Sequence, residues 1–174
     1  MLDWVSLVLK VNDSLCQYSL SHIYLLSLFC SGLVGILTYH LASSSKSHTF
    51  LTDGDSDALK YLRENVKLNT TSTKGKISVK QLIWGQKTAT EFLRNNSNDD
   101  STAEEQKFDI ILASDIVYSP VIIEPLWETI QILLSPSPSS VFVMAYAKRK
   151  VTLIRLRHIS FNSLLLTTSM LIYL

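Results

Sequence analysis

From residue 48 onward the apolar positions fall into a regular succession of short blocks. Residues 48–52 form a β-prone run that ends in the acidic turn Asp53-Gly54-Asp55. Residues 57–69 then take a helical period: Leu59, Leu62 and Val66 share a face, while Lys60, Arg63, Glu64 and Lys67 point elsewhere. Asp55 or Ser56 can cap the start of this helix. Residues 76–84 alternate as a strand, with Ile77, Val79 and Leu82 sharing a side before a shift near Gly85. Residues 86–107 are polar and read as a surface insertion. Residues 108–113 are continuously apolar, the pattern of a strand buried on both faces of a parallel sheet. Pro120 or Pro125 opens a helix to about Leu134, with Leu126, Ile130 and Leu133 spaced for burial. A Ser-Pro-rich loop at 135–140 breaks it, and residues 141–145 form another buried strand. Strands alternating with helices predict a parallel α/β sheet with right-handed crossovers. Ligands of such sheets bind beyond the carboxyl ends of the strands.

The two ends of the chain depart from this rhythm. Residues 23–41 are as long as a membrane span and contain no Asp, Glu, Lys or Arg. They also fit a strand and helix buried in an α/β core, and both readings stay open. Residues 159–174 form a second apolar stretch behind the basic residues of 148–158. No basic segment precedes the first apolar run, so no signal peptide is expected and the expected location is cytoplasmic. The 174 residues suit one domain. A net charge of +1 gives no global bias toward nucleic acid. Cys16 and Cys30 are too few for a disulfide scaffold or a zinc site, so no metal is expected.

Three strand ends carry groups with chemistry. Asp53 follows the strand at 48–52, where a carboxylate can accept hydrogen bonds from both ribose hydroxyls of a nucleotide; it can equally be a turn or cap residue. Trp84 precedes Gly85, and a Trp there can cover an adenine or simply join the core. Ser114-Asp115-Ile116-Val117-Tyr118 follows the most apolar strand. Asp115 at that lip can orient an incoming amine, with Tyr118 three residues on; the plainer alternative is a helix cap with Tyr118 packed beneath.

In order and spacing these segments resemble the seven-strand S-adenosylmethionine-dependent protein-lysine methyltransferases marked by an Asp-x-x-Tyr motif (methyltransferase family 16). The resemblance runs from about Ser31 to Lys150. Its carriers are Leu51-Thr52-Asp53-Gly54-Asp55, Leu62-x-x-Asn65-x-x-x-Asn69, Leu82-x-Trp84-Gly85 and Ala113-Ser114-Asp115-Ile116-Val117-Tyr118. It implies a Rossmann-like sheet and methyl transfer from S-adenosylmethionine to a lysine of a protein, such as a translation or chaperone factor. It also implies that Asp53 contacts the ribose, Trp84 the adenine and Ser114 the cofactor pocket, and that Asp115 and Tyr118 form the substrate end.

Gly32 is what remains of the family's cofactor-loop glycines; Leu28 and Cys30 stand at the earlier glycine positions, without the preceding acid. The expected organisation is a divergent segment 1–30, a methyltransferase core 31–150 and a divergent apolar tail 151–174, so the sheet should lack its C-terminal hairpin and leave an edge open. Two other function classes remain in view: a non-catalytic remnant that binds partners, and a small membrane-associated protein.

Overall fold

The computed structural model describes residues 23–28, 47–69, 76–96, 107–114, 116, 117, 119–145 and 169–173. Six strands form one sheet: β1 (Ile23–Leu28), β2 (Ser47–Asp53), β3 (Lys76–Gln81), β4 (Ile110–Ser114), β5 (Val141–Ala145) and β6 (Ser169–Tyr173). Their spatial order is β3-β2-β1-β4-β5-β6. Every neighbouring pair is parallel. Three α-helices accompany them: α1 (Ser56–Asn69), α2 (Gln86–Asn96) and α3 (Ile123–Leu133), the last preceded by a 3-10 turn at Pro120–Ile122. This is a Rossmann-like α/β architecture in which the strand order reverses beside β1.

Burial on both faces explains the apolar strands. On one face, Leu51 of β2 and Ile77 and Val79 of β3 pack against Leu59, Leu62 and Val66 of α1. On the other, Leu26, Leu28, Phe50, Ile111 and Met144 meet Phe92 and Leu93 of α2 and Leu126, Ile130 and Leu133 of α3. Phe50 sits edge-on to Phe108 and Phe92, at ring-centroid distances of 5.3 and 6.0 Å. Leu82 belongs to this second cluster, not to the side of Ile77 and Val79. An odd-to-even step in a strand changes face, so the side-sharing expected for Leu82 does not hold.

The segment expected as a polar insertion contains a helix. α2 buries only Ala89, Phe92 and Leu93, a spacing of three and four residues. Three apolar residues in eleven are a faint sequence signal, yet they suffice because α3 and the sheet supply the opposing surface.

The apolar run at 23–41 begins as a strand. Residues Ile23–Leu28 form β1, paired with β2 and β4 at the centre of the sheet. Leu25, Leu26 and Leu28 are buried there. Among the described residues no helix is long and apolar enough to cross a membrane. At the other end, Ser169–Tyr173 adds as β6 alongside β5. The sheet therefore does not stop at β5, and the open edge on that side passes to a parallel strand from the apolar tail.

Candidate functional site

Register places the candidate residues on either side of the end of β1. Leu28, the last paired residue of β1, lies opposite Thr52 on β2 and Ala113 on β4. Asp53 and Ser114 are each one residue further on. They flank the strand end across two strand intervals, about 10 Å. This is the switch point of a doubly wound sheet, the place where sheets of this class have their ligand crevice.

Asp53 is buried at the end of β2. Its Oδ1 accepts the Asp55 N–H at 2.8 Å, and its carbonyl accepts the Leu82 N–H at 3.0 Å. The first bond fixes one carboxylate oxygen within the turn; among the described residues Oδ2 has no hydrogen-bond partner. Asp55 in turn accepts the Asp57 N–H with its own Oδ1 at 2.8 Å, and its carbonyl accepts the Leu59 N–H, so Asp55 is the cap of α1. Asp55 therefore caps the helix, while Asp53 serves the turn through Oδ1 and keeps Oδ2 outside that contact. Thr52 Oγ1 donates to the Ser27 carbonyl at 2.9 Å, which ties β2 to β1 just below the crevice.

Trp84 is half-buried against the α2–α3 side of the core. The following Gly85 has φ of +137°, a conformation that side chains with a Cβ rarely adopt. Its N–H donates to Thr129 Oγ1 at 2.8 Å, and Thr129 Oγ1 donates onward to the Pro125 carbonyl at 2.8 Å. The next amide, Gln86 N–H, donates to Glu128 Oε2 at 3.1 Å. Two neighbouring residues of α3 thus satisfy the first amides of α2 and hold the turn that carries Trp84. Thr129 and Glu128 are supports of the Trp84 turn that the sequence reading missed. The available signal was a Thr at a position where α3 is otherwise apolar, between Leu126 and Ile130.

Ser114, the last residue of β4, is half-buried and pairs with Ala145. The chain beyond it re-enters the core with Ile116 and Val117, both buried. Of the candidate residues the structure therefore brings Asp53, Trp84 and Ser114 to one end of the sheet. Gly32, Asp115, Tyr118 and Cys30 lie outside the described residues. Leu28 is fully buried in the core at the end of β1. Among the described residues no group of three or more His, Cys, Asp or Glu can hold a metal ion.

Far from this crevice, His48 lies near the start of β2. Its Nε2 is 2.8 Å from Ser78 Oγ, and its ring lies 4.1 Å from that of Phe50. Burial, together with the charges of Lys76 and Lys80, pushes its pKa down from 6.5 to about 4. Asp109, just before β4, accepts the Tyr24 N–H on Oδ2 at 2.9 Å, and burial pushes its carboxyl up.

A family model described as lysine methyltransferase matches residues 21–158. No curated protein matches the sequence. Among solved structures, the D-arabinose dehydrogenase from Sulfolobus solfataricus superposes with a TM-score of 0.51 at 8% identity, over 95% of this chain and 42% of that one. A short-chain dehydrogenase from Oenococcus oeni gives 0.46 at 11%, over 75% and 65%. A putative sarcosine dimethylglycine methyltransferase from Galdieria sulphuraria gives 0.42 at 14%, over 75% and 42%. At such identity the likeness to the Sulfolobus enzyme speaks to the fold alone. This chain spans between 42% and 65% of the length of these proteins.

Proposed function

The chain belongs to the S-adenosylmethionine-dependent lysine methyltransferase family, and from that premise we propose that it transfers a methyl group from S-adenosylmethionine to a lysine side chain of a protein. The observation that carries the proposal is the family match over most of the chain, including the strands that end at the crevice.

The donor set fits the adenosine half of the cofactor. Asp53 offers a carboxylate oxygen at the end of β2, where ribose hydroxyls can donate to it. Trp84 presents a half-buried ring on a turn held rigid by Thr129. Ser114 lines the far side of the switch point. When bound, the cofactor supplies an electrophilic methyl group. The chain's own residues then bind, orient and exclude water. Asp115 accepts hydrogen bonds from the lysine amine and directs its lone pair, and Tyr118 bounds the same end. These two roles, and that of Gly32, rest on the family resemblance.

The fit is weaker toward the methionine half. Leu28 fills its position with a buried side chain. A displacement of about 1 Å at the reacting centre can lower a rate about a hundredfold. Weak cofactor binding and slow turnover are expected, in a cytoplasmic setting.

Two measurements test the proposal. Calorimetry with S-adenosylhomocysteine should show binding that Asp53→Ala weakens; no binding at all would favour a non-catalytic remnant. Tritiated methyl incorporation into lysate protein should be lost in Asp115→Ala. Equal incorporation by both forms would remove Asp115 from the mechanism.

A further inference from the structure

Among the described residues no strand pairs with the outer side of β3, the end strand of the sheet. Its backbone alternation is set by the Leu82 N–H, which donates inward to Asp53. Stepping back by twos, Lys80 and Ser78 turn their amides and carbonyls toward β2, while Gln81 and Val79 turn theirs outward. Among the described residues that outer side leaves its donors and acceptors unpaired, the arrangement to which an extended chain can add.

Two features distinguish this edge from a bare strand end. An open cleft of about 310 Å³ runs between it and α2, floored by Leu82 and Phe92 and rimmed by Lys80, Glu91 and Asn95. The α2 positions Thr88, Glu91 and Asn95 recur at three- and four-residue spacing, so one helix face looks along the strand. Lys76 and Lys80 are both exposed on β3 and stand four residues apart on the same face. Both act electrostatically on His48, which lies on the same face of the sheet one strand in. Glu91 is the carboxylate of the cleft, which Lys80 also lines; Lys76 is not among the lining residues.

We propose that the outer edge of β3 docks an extended segment of the protein substrate by strand addition, with acidic side chains opposite Lys76 and Lys80 and an apolar side chain over Leu82 and Phe92. The occupant follows from charge: a strand laid beside β3 meets two lysines, and opposite charges across a strand pair are favourable where like charges are not. Main-chain pairing supplies affinity and the alternating side chains supply selectivity. β3 and β4 are three strand intervals apart, about 14 Å, so the docked segment lies away from Ser114 and holds the substrate while a separate lysine reaches the crevice. The inference rests on the reading that the substrate is a protein.

The test uses the full chain and a fluorescein-labelled ten-residue peptide of alternating Val and Glu, with the Val–Lys peptide and a Val–Glu peptide methylated on alternate backbone nitrogens as controls. Fluorescence polarisation should show binding of the Val–Glu peptide, about tenfold tighter than either control and weakened by added salt. The K76E/K80E variant should lose that preference while it still unfolds cooperatively and keeps its S-adenosylhomocysteine affinity. Equal binding of all three peptides, or binding that survives the lysine reversal, would overturn the docking proposal. Because S-adenosylhomocysteine affinity is read on the same protein, loss of docking with cofactor binding intact sinks only this inference. Absence of cofactor binding with docking intact sinks the methyl-transfer reading instead.

Discussion

Leu28 and Asp53 stand at the ends of adjacent strands, and their burial has opposite meanings. Leu28 is a core residue: its side chain is fully buried beside those of Leu26 and Ala113. Restoring the family glycine there would therefore excavate the core. Leu28→Ala is expected to lower unfolding stability by about 2–5 kcal/mol, and Leu28→Gly by more, measured by urea titration. The alternative, that this position is a loop site waiting for a glycine, predicts tighter S-adenosylhomocysteine binding in Leu28→Gly with little loss of stability. Asp53 is buried with one oxygen engaged in its own turn. Asp53→Ala removes both the ribose acceptor and that turn contact, whereas Asp53→Asn keeps an oxygen for the Asp55 N–H. Each should weaken cofactor binding by about 1.5–3 kcal/mol, the worth of a hydrogen bond to a charged group, with Asp53→Asn sparing the fold. Calorimetry alongside thermal melts separates the two effects. Asp53 was legible as a candidate because an acid at a strand end serves either a ligand or the turn; the burial of Leu28 was not, since a leucine reads alike in a strand and a loop.

At the scale of elements, β2, β3, β4, β5, α1 and α3 follow from the sequence because each has a clear period and a bounding turn. α2 does not, and the reason is physical. Its polar outer face carries Lys87, Thr90 and Arg94, all exposed, and its anchor is three buried side chains plus caps lent by another helix. Such caps cannot be read from local sequence. They do yield a test. Thr129→Val keeps the shape of the side chain but removes the acceptor for the Gly85 N–H and the donor to Pro125. An amide stranded in a partly buried turn costs about 1–3 kcal/mol. The variant should melt earlier, and its indole fluorescence should shift as the turn bearing Trp84 loosens. An unchanged melt and spectrum would mean that Gln86 and the helix dipole hold the turn without Thr129. β1 and β6 were hidden for a different reason: a strand buried on both faces, or drawn from an apolar tail, looks like a membrane segment until its hydrogen-bond partners are seen.

For the molecule as a whole, two titrating groups lie at the amino-terminal ends of the strands, opposite the crevice, and they act on stability in opposite senses. His48 is held down at about 4 by burial and by Lys76 and Lys80, against 6.5 when unfolded. Between those values the unfolded chain binds the proton and the folded chain does not, so stability falls as pH drops from about 6.5 toward 4. Asp109 is held above its ordinary 3.8 by burial, so the folded chain takes up its proton first. Its contribution is present at low pH and is lost as pH rises through the folded value. The His48 effect by itself lowers stability as pH falls from about 6.5 toward 4. His48→Gln, which can still face Ser78 and carries no titrating group, should flatten the melting-temperature profile over that window. Asp109→Asn keeps an oxygen for the Tyr24 N–H and mimics the protonated acid. It should leave the His48-dependent fall in place while raising stability near neutral pH. Because both groups lie away from Asp53 and Ser114, neither variant should alter cofactor affinity at pH 7. A profile that stays steep in His48→Gln would assign the acid sensitivity to carboxylates elsewhere in the chain.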